Sequence, residues 1–474
     1  MSNNGDEPER VCELECRGLQ GIPARREFVG PVKITLIEST PVDYRRKVCV
    51  SAMIAMAILL LGVPVFTLYL YTMQFRLPLW VNLHIVLCTM AVQMFMVPGI
   101  LVLCSSFGGG MYLSLYGRRF QHLLLQSFAV GCGVVGALLM LPYLHCSGHD
   151  VLGFFGVLFS VFASVLGPGA YFTAPTRFFG RVSRKVHMIF SVPSYICSSL
   201  CFATIYSEPK FVDWLGTKSY VLILTAINTY IFLTVLVAIF IKVKTMGDDT
   251  KSDIVEIPKN RLATLNLFNV MIASEHRDSY CLAVWMAAAV GLSHILIGAV
   301  NITLIMYSYR RTESHSAYFT IAYNFFAAEA ILSLSFVNGW ATPIRSMHRK
   351  YVHIFLQLCT IITAVSGMII VARKLQFQRT AHSVLGMLTL LLTLLSSLTG
   401  PFALKLVVRK GHFVHMSCGI LCFCSSMICL CTGLVKQDLK RWTGQNVVYM
   451  LNLFIIFYSS LIVITTIIKV VNKG

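Results

Sequence analysis

The stretch HSVLGMLTLLLTLLSSLTGP, residues 382–401, is long enough and apolar enough to cross a lipid bilayer as one helix. It begins with a histidine and ends with Gly-Pro, and HDVLGFFGVLFSVFASVLGP at residues 149–168 does the same. Eight of the twenty aligned positions are identical, including the His, Val, Leu and Gly near the start. Similarity over such a distance predicts an internal repeat.

The composition is that of a membrane protein. The chain has 474 residues, of which 56% are hydrophobic and 12% are charged, whereas soluble domains carry about 25% charged residues. Twelve stretches are apolar over the length that a spanning helix needs. They are approximately 48–72, 79–104, 121–144, 149–172, 186–206, 219–242, 280–307, 315–337, 351–372, 382–404, 413–435 and 446–470. The sequence therefore predicts an all-α polytopic membrane protein with about 12 helices.

One long polar segment, residues 243–279, divides these stretches into two groups of six. We therefore expect a cytoplasmic N-terminal tail (1–47), a first six-helix bundle (48–242, the first block), a cytoplasmic linker (243–279) and a second tandem bundle (280–474, the second block). CELEC in the tail holds Cys12 and Cys16. We expect these thiols to be reduced, because disulfides are rare in the cytosol.

Lysine and arginine placement predicts the orientation. If the N-terminus is cytoplasmic, 14 basic residues of the first half lie on that side and three lie opposite, while the second half is balanced at eight to eight. Both termini are therefore expected in the cytoplasm. The membrane itself could be that of an endomembrane vesicle or the plasma membrane. The net charge of +19 does not indicate nucleic acid, because the basic residues lie in short loops that flank helices.

Eight of the 13 histidines recur at matched positions in the two blocks. His84 matches His315 and His122 matches His353 at an offset of 231, His149 matches His382 at 233, and His187 matches His415 at 228. The remaining five have no histidine counterpart: His145, His276, His294, His348 and His412. The repeat thus separates eight candidate ligands from five bystanders.

The matched histidines lie near the starts of helices two to five of each block. Consecutive helices run in opposite directions, so helices two and four begin outside and helices three and five begin inside. We therefore expect two outer pairs, His84–His149 and His315–His382, and two inner pairs, His122–His187 and His353–His415. The names follow the predicted orientation.

Two imidazoles that face each other suit a haem iron, which takes one axial ligand on each face of its ring. Zinc usually takes four protein ligands in structural sites, and two histidines per level are too few. A lone histidine at a membrane edge is more often structural. Eight ionisable groups in register across a repeat instead favour a functional role.

The motifs resemble the cytochrome b561 family, whose six-helix unit carries two haems on its central four helices. They are HIVL and EAILSL on helix two, RKYVHIFLQ on helix three, HSVLGMLTLLLTLLSSLTGP on helix four and VHMSCGILCF on helix five. The resemblance covers about 84–206 and 315–435. It implies up to four b-type haems, with all eight matched histidines as axial ligands of the haem irons.

The resemblance also implies a direction of electron transfer and a substrate. Ascorbate is the expected cytoplasmic donor, and monodehydroascorbate or a ferric chelate is the expected outer acceptor. Anionic ascorbate should be attracted to cations beside the inner pairs. The same cations are equally well explained by the excess of Lys and Arg that cytoplasmic loops carry. The candidates are Arg118, Arg119, Arg184 and Lys185 in the first block and Arg349, Lys350, Arg409 and Lys410 in the second. The acidic residue that the family carries on helix two is Glu329 in the second block, expected to be structural, and Pro98 in the first.

Two other functions fit the sequence. Two parallel six-helix repeats also describe a twelve-helix solute transporter, but a transporter predicts broken or polar helices at the midplane, whereas the histidines lie near membrane edges. A membrane scaffold that has lost its haems is the third possibility.

Overall fold

The computed structural model describes residues 41–74, 77–104, 113, 115–143, 145–172, 178–252, 277–311, 314–335, 338, 341, 344, 346–373, 380–405 and 409–471. In this part of the chain every regular element is helical, which confirms the predicted all-α class. The tail cysteines Cys12 and Cys16 lie outside the described residues.

The described residues of the first block form seven helices. They are α1 (Pro41–Gln74), α2 (Leu79–Leu101), α3 (Leu115–Met140), α4 (Gly148–Phe172), α5 (Phe178–Thr204), a short α6 (Pro209–Leu215) and α7 (Lys218–Ser252). Each predicted stretch of this block is therefore a helix. The short α6 is an addition that hydropathy does not predict.

The second block has the same succession of elements. They are α8 (Arg277–Arg311), α9 (314–333), α10 (Ser346–Arg373), α11 (Ala381–Lys405), α12 (Arg409–Leu434), a short α13 (Gln437–Thr443) and α14 (Gln445–Val471). Within the described ranges, eleven helices are long and apolar enough to cross a membrane. The twelfth predicted span is α9, in which Asn324 and Glu329 lower the mean hydropathy.

The second helix of each block contains a π-helical segment. It covers Met90–Met96 in α2 and Thr320–Ala327 in α9. A π segment adds a residue to the helical turn and is frequent at functional sites. In both helices it lies between the outer histidine and the part of the helix that contacts the inner one.

The two blocks meet where α1 crosses α8, and glycine makes the crossing possible. A Cβ atom on Gly62 would lie 1.9 Å from Ile295 O, and one on Gly298 would lie 2.0 Å from Leu59 O. No side chain fits in that space, so the two backbones are in direct contact. Small residues at the interface are the usual means of packing membrane helices closely.

The short helices join the blocks at a second place. Trp214 of α6 and Trp442 of α13 lie on either side of Arg310, whose guanidinium carbon is 5.6 Å from each indole ring centre. Arg310 also donates to Trp214 O, and Gln74 donates to Trp442 O at 2.9 Å. Cation–π contacts of this kind stabilise by about 0.5–2 kcal/mol. These contacts, with the hydrogen bond from Gln74, hold the ends of α1 and α8 together.

Candidate functional site

The structure brings the matched histidines together in the predicted pairs. The ring centres are 6.1 Å apart for His84–His149 and 6.2 Å apart for His122–His187. In the second block His353–His415 are 6.3 Å apart. His315 lies close enough to His382 for their charges to interact. The two helices of each pair are not consecutive along the chain: they are the second and fourth, or the third and fifth, long helices of their block.

These separations fit one metal ion between two imidazoles. With about 2 Å for each metal–nitrogen bond, two imidazoles that bind one ion from opposite sides would have ring centres about 6 Å apart. The separations of 6.1, 6.2 and 6.3 Å are close to this value. Among the described residues no group of three or more His, Cys, Asp or Glu side chains could hold a metal. Pairs of histidines at this spacing would suit a haem iron.

For seven of the eight matched histidines, Nδ1 lies within hydrogen-bond distance of an oxygen atom on a neighbouring helix. The closest partners are Gly136 O for His84 (2.9 Å), Gly99 O for His122 (2.7 Å), Thr204 Oγ1 for His149 (2.8 Å), Ala163 O for His187 (2.8 Å), Ala330 O for His353 (2.9 Å), Cys429 O for His382 (3.0 Å) and Ser396 O for His415 (3.0 Å).

These contacts fix the tautomer of each ring. A carbonyl oxygen can only accept a hydrogen bond, so Nδ1 must carry the hydrogen. The Thr204 hydroxyl donates to Cys201 O at 2.6 Å, so its oxygen is likewise the acceptor for His149. In the neutral imidazole Nε2 is then left with the lone pair, which is the state that a metal ligand needs. Orientation by a partner on the other ring nitrogen is typical of metal-binding histidines.

The acceptors recur at the same offsets as the histidines. Gly99 and Ala330 differ by 231, Ala163 and Ser396 by 233, and Cys201 (3.3 Å from His149 Nδ1) and Cys429 by 228. The same offsets relate the histidine pairs His122–His353, His149–His382 and His187–His415. The local contacts thus support the predicted repeat, which remains an interpretation of the sequence.

The glycine that closes the repeated stretch lies at the inner pair. A Cβ on Gly167 would be 3.8 Å from His187 Cε1, and a Cβ on Gly400 would be 3.5 Å from His415 Cε1. Helices α4 and α11 thus begin with an outer histidine and end against an inner one. This explains why His and Gly-Pro lie at the two ends of the similar sequences.

The inner histidines lie farther from the starts of their helices than predicted. His122 and His353 are each the eighth residue of their helix, because α3 and α10 begin before the apolar stretches do. The carbonyls that hold them follow the outer histidine by fifteen residues in both blocks (99 − 84 and 330 − 315). At about 1.5 Å per residue, the two levels are about 22 Å apart along the helix.

Six of the eight predicted substrate cations have described side chains. Arg118 and Arg119 are half-buried, and Arg118 Nε has no hydrogen-bond partner among the described residues. Arg119 and Arg184 lie close enough for their charges to repel, and Arg184 Nε donates to Ala170 O at 3.3 Å. These groups form a cationic end of the first block beside its inner pair.

The second block presents fewer described cations at this end. Arg349 Nε donates to Ile344 O at 2.8 Å, while Lys350 is exposed, as is Lys185 in the first block. Arg409 and Lys410 begin α12, and their side chains lie outside the described part of the chain.

Sequence reasoning missed one buried polar group. His294, a bystander in the repeat, lies on α8 with its Nδ1 2.6 Å from Glu329 Oε1. Both side chains are more than nine-tenths buried. The signal was present, because an ionisable residue in the middle of an apolar stretch needs a partner. His294 has no histidine counterpart in the other block, so the repeat did not indicate a role for it.

Comparisons with known proteins support the same assignment. Residues 314–441 match the family model described as eukaryotic cytochrome b561. The matched range holds the four histidines of the second block. No curated protein and no solved structure matched the chain.

Proposed function

Since residues 314–441 form a cytochrome b561 domain, we propose that this chain carries electrons across a membrane through haem b held by the four histidine pairs. The donor in this proposal is cytoplasmic ascorbate, and the acceptor is monodehydroascorbate or a ferric chelate on the outer side. Both termini are cytoplasmic. Each block is one electron-transfer unit with an inner and an outer site.

The observation that carries the proposal is the orientation of the imidazoles. Ring centres 6.1–6.3 Å apart combine with Nδ1–H groups that are bonded to neighbouring helices, which leaves the lone pair on Nε2, the atom that would bind a metal. A structural histidine needs only a hydrogen-bond partner, and these histidines would also have to approach a second ring for no gain. A haem held by two histidines would supply one-electron transfer and leave no open site for oxygen.

The chain's own residues keep the sites in place and apart. The bonds from α3 to α2, from α5 to α4 and from α4 to α5 hold each ring from a different helix than its own. A shift of one helix is therefore resisted at both levels. The spacing of about 22 Å between the levels supports one site near each membrane face, as transmembrane transfer requires.

The cationic inner end supports an anionic donor. Ascorbate is negatively charged at neutral pH, and Arg118, Arg119 and Arg184 cluster at the end of the first block where the inner pair lies. A half-buried guanidinium with an unused Nε donor is suited to bind a carboxylate, phosphate or enolate oxygen. The second block carries Arg349, at the position that corresponds to Arg118 (118 + 231).

The test is the loss of haem level by level. His84→Ala or His149→Ala should remove the outer haem of the first block and leave the inner one, whereas His122→Ala or His187→Ala should do the reverse. Pyridine-haemochrome analysis of the purified full chain should give up to four haems for the unchanged protein and about one fewer for each variant.

His145→Ala and His412→Ala are matched controls. Each lies within four residues of a proposed ligand and is exposed, and neither change should alter the haem content. Unchanged protein from membranes of haem-replete cells that contains no haem would refute the proposal and leave the transporter or scaffold alternatives. Loss of the same haem in His84→Ala and His187→Ala would refute the pairing.

A further inference from the structure

A buried imidazole–carboxylate pair adjoins the inner site of the second block. His294 Nδ1 and Glu329 Oε1 are 2.6 Å apart, and His294 Nε2 is 3.4 Å from Asn338 Oδ1. The neighbouring residues of α8 and α9 are buried, and two of them, Ser293 and Ser333, are polar. The buried apolar neighbours include Val290, Ile295, Ile297, Ala328, Ala330 and Leu332. Ionisable groups at such a depth are costly, and in membrane proteins they mark ion or proton sites.

The pair is connected to a proposed ligand through one peptide unit. Glu329 is followed directly by Ala330, whose carbonyl accepts the hydrogen bond from His353 Nδ1 at 2.9 Å. The pair and the ligand are therefore held by the same turn of α9. A change of charge at the inner site therefore acts on the pair through buried protein, where screening by solvent and ions is weak.

The described residues of the first block contain no imidazole–carboxylate pair at the matching place. The position that corresponds to Glu329 is Pro98 (329 − 231). At the crossing of α1 with α8, Gly62 corresponds to Gly298 at an offset of 236, and this offset makes the buried Ile58 the counterpart of His294. The matched inner histidines therefore have different surroundings at these two positions.

Other ionisable groups near the pair have partners of their own. On α10 these are His353 and Arg349, the latter bonded to Ile344 O. On α9 Tyr323 bonds to Thr393 Oγ1 at 2.8 Å, and on α14 Tyr458 donates to Asn324. The face of α1 at the crossing is apolar, with Leu59 and Phe66 buried there. The described charge that acts on His294 is that of Glu329.

We propose that the His294–Glu329 pair takes up one proton when the inner site of the second block is reduced. The inference rests on the proposed function. One electron passes from the donor to the iron, which goes from the ferric to the ferrous state. One proton passes from water at the cytoplasmic face to the pair, and both return when the electron leaves for the outer site. No other bond is formed or broken.

The physical reason is charge compensation. An imidazole and a carboxylate at hydrogen-bond distance share one proton in their neutral state, and the pair becomes anionic when it loses that proton. Adding an electron nearby disfavours the anionic state, because like charges repel strongly in a medium of low dielectric constant. Reduction therefore raises the proton affinity of the pair.

The experiment is a redox titration of the full-length protein in lipid nanodiscs, followed by visible absorption between pH 6 and pH 8. One haem component should become tenfold harder to reduce per pH unit, which is about 59 mV for one electron, and the others should change little. Glu329→Gln should abolish this dependence and keep the haem. His353→Ala should remove the same component altogether.

Two further variants complete the test. Ser293→Ala changes a buried neighbour of His294 that bonds to Ala289 O, and it should leave the pH dependence intact. If Glu329→Gln does not fold, the double variant His294→Ile with Glu329→Leu gives the site the apolar surroundings of the first block and should also titrate without pH dependence. Replacing both partners avoids leaving one buried charge unpaired.

The outcomes separate this inference from the function on which it rests. Absence of haem from the unchanged protein would overturn both. Four haems that ascorbate reduces, with no pH-dependent component or with one that survives in Glu329→Gln, would overturn the proton site and leave the electron-transfer function standing.

Discussion

Thr204 offers a way to change the outer ligand of the first block without touching the ligand itself. His149 Nδ1 donates to Thr204 Oγ1 at 2.8 Å, and its second acceptor, Cys201 O, is farther away at 3.3 Å. In the second block the order is reversed, since His382 Nδ1 is 3.0 Å from Cys429 O and 3.5 Å from Thr432 Oγ1. Thr204→Val therefore removes a main partner, and Thr432→Val removes a minor one.

The expected effect follows from the hydrogen bond that is lost. An acceptor on Nδ1–H makes the imidazole a stronger electron donor to its metal, which favours the ferric state, so loss of the acceptor should raise the midpoint potential. One such bond contributes about 0.5–1.5 kcal/mol. With about 1.4 kcal/mol and 59 mV per factor of ten for one electron, the rise should be about 20–60 mV. Cys201 O can accept part of the hydrogen bond in place of Thr204, so we expect a rise in midpoint potential in the lower half of this range.

The assay is spectroelectrochemistry of both variants beside the unchanged protein. We expect one outer component to rise in Thr204→Val, and a smaller change or none in Thr432→Val, because 3.5 Å is too long for an effective hydrogen bond. The inner components should not move in either. A fall in potential, or equal shifts in the two variants, would show that these threonines do not tune the sites through Nδ1.

Two more changes test the packing and the donor side. Gly62→Val or Gly298→Val should lower the thermal unfolding temperature in detergent by forcing α1 and α8 apart, since overpacking typically costs about 1–3 kcal/mol, while Gly291→Ala, which has open space around it, should not. Replacing Arg118 and Lys185 with Gln in one block, and Arg349 and Arg409 in the other, should slow reduction by ascorbate and weaken its dependence on salt, with reduction by dithionite still complete. Stopped-flow rates that are unchanged in every variant would leave these cations as topology signals.

The helices were predictable because lipid imposes one requirement on every span, an apolar surface over a sufficient length. The elements that hydropathy missed do not meet that requirement. The short helices α6 and α13 are stabilised by tryptophans that contact Arg310, and those contacts depend on both blocks. The π segments of α2 and α9 leave no trace in periodicity over so few residues. Glu329 and Asn324 made α9 the least apolar of the twelve spans.

The candidate site was predictable to the level of pairs and no further. Alternation of helix direction is enough to place His84 with His149 and His122 with His187. The acceptors of Nδ1 are mostly backbone carbonyls, which every residue carries, so no side-chain pattern marks them. His294 was missed for a different reason. Matched positions reveal only the residues that the two blocks have in common, and His294 is one of the residues in which they differ.

The two blocks are equivalent in their ligands and unequal in what surrounds them. In the first block the outer ring of His149 bonds mainly to a hydroxyl, and Ile58 and Pro98 occupy the positions that correspond to His294 and Glu329. In the second block the corresponding ring of His382 bonds mainly to a carbonyl, and the inner site has an ionisable pair beside it. If the sites hold haem as proposed, each of these differences would act on the balance between ferric and ferrous iron, and the four sites should have different midpoint potentials. Because the blocks are joined at α1 and α8 by a contact that excludes even a methyl group, these differences are held in a fixed geometry. Under the proposed proton site, reduction of the second block would be coupled to a proton through the His294–Glu329 pair.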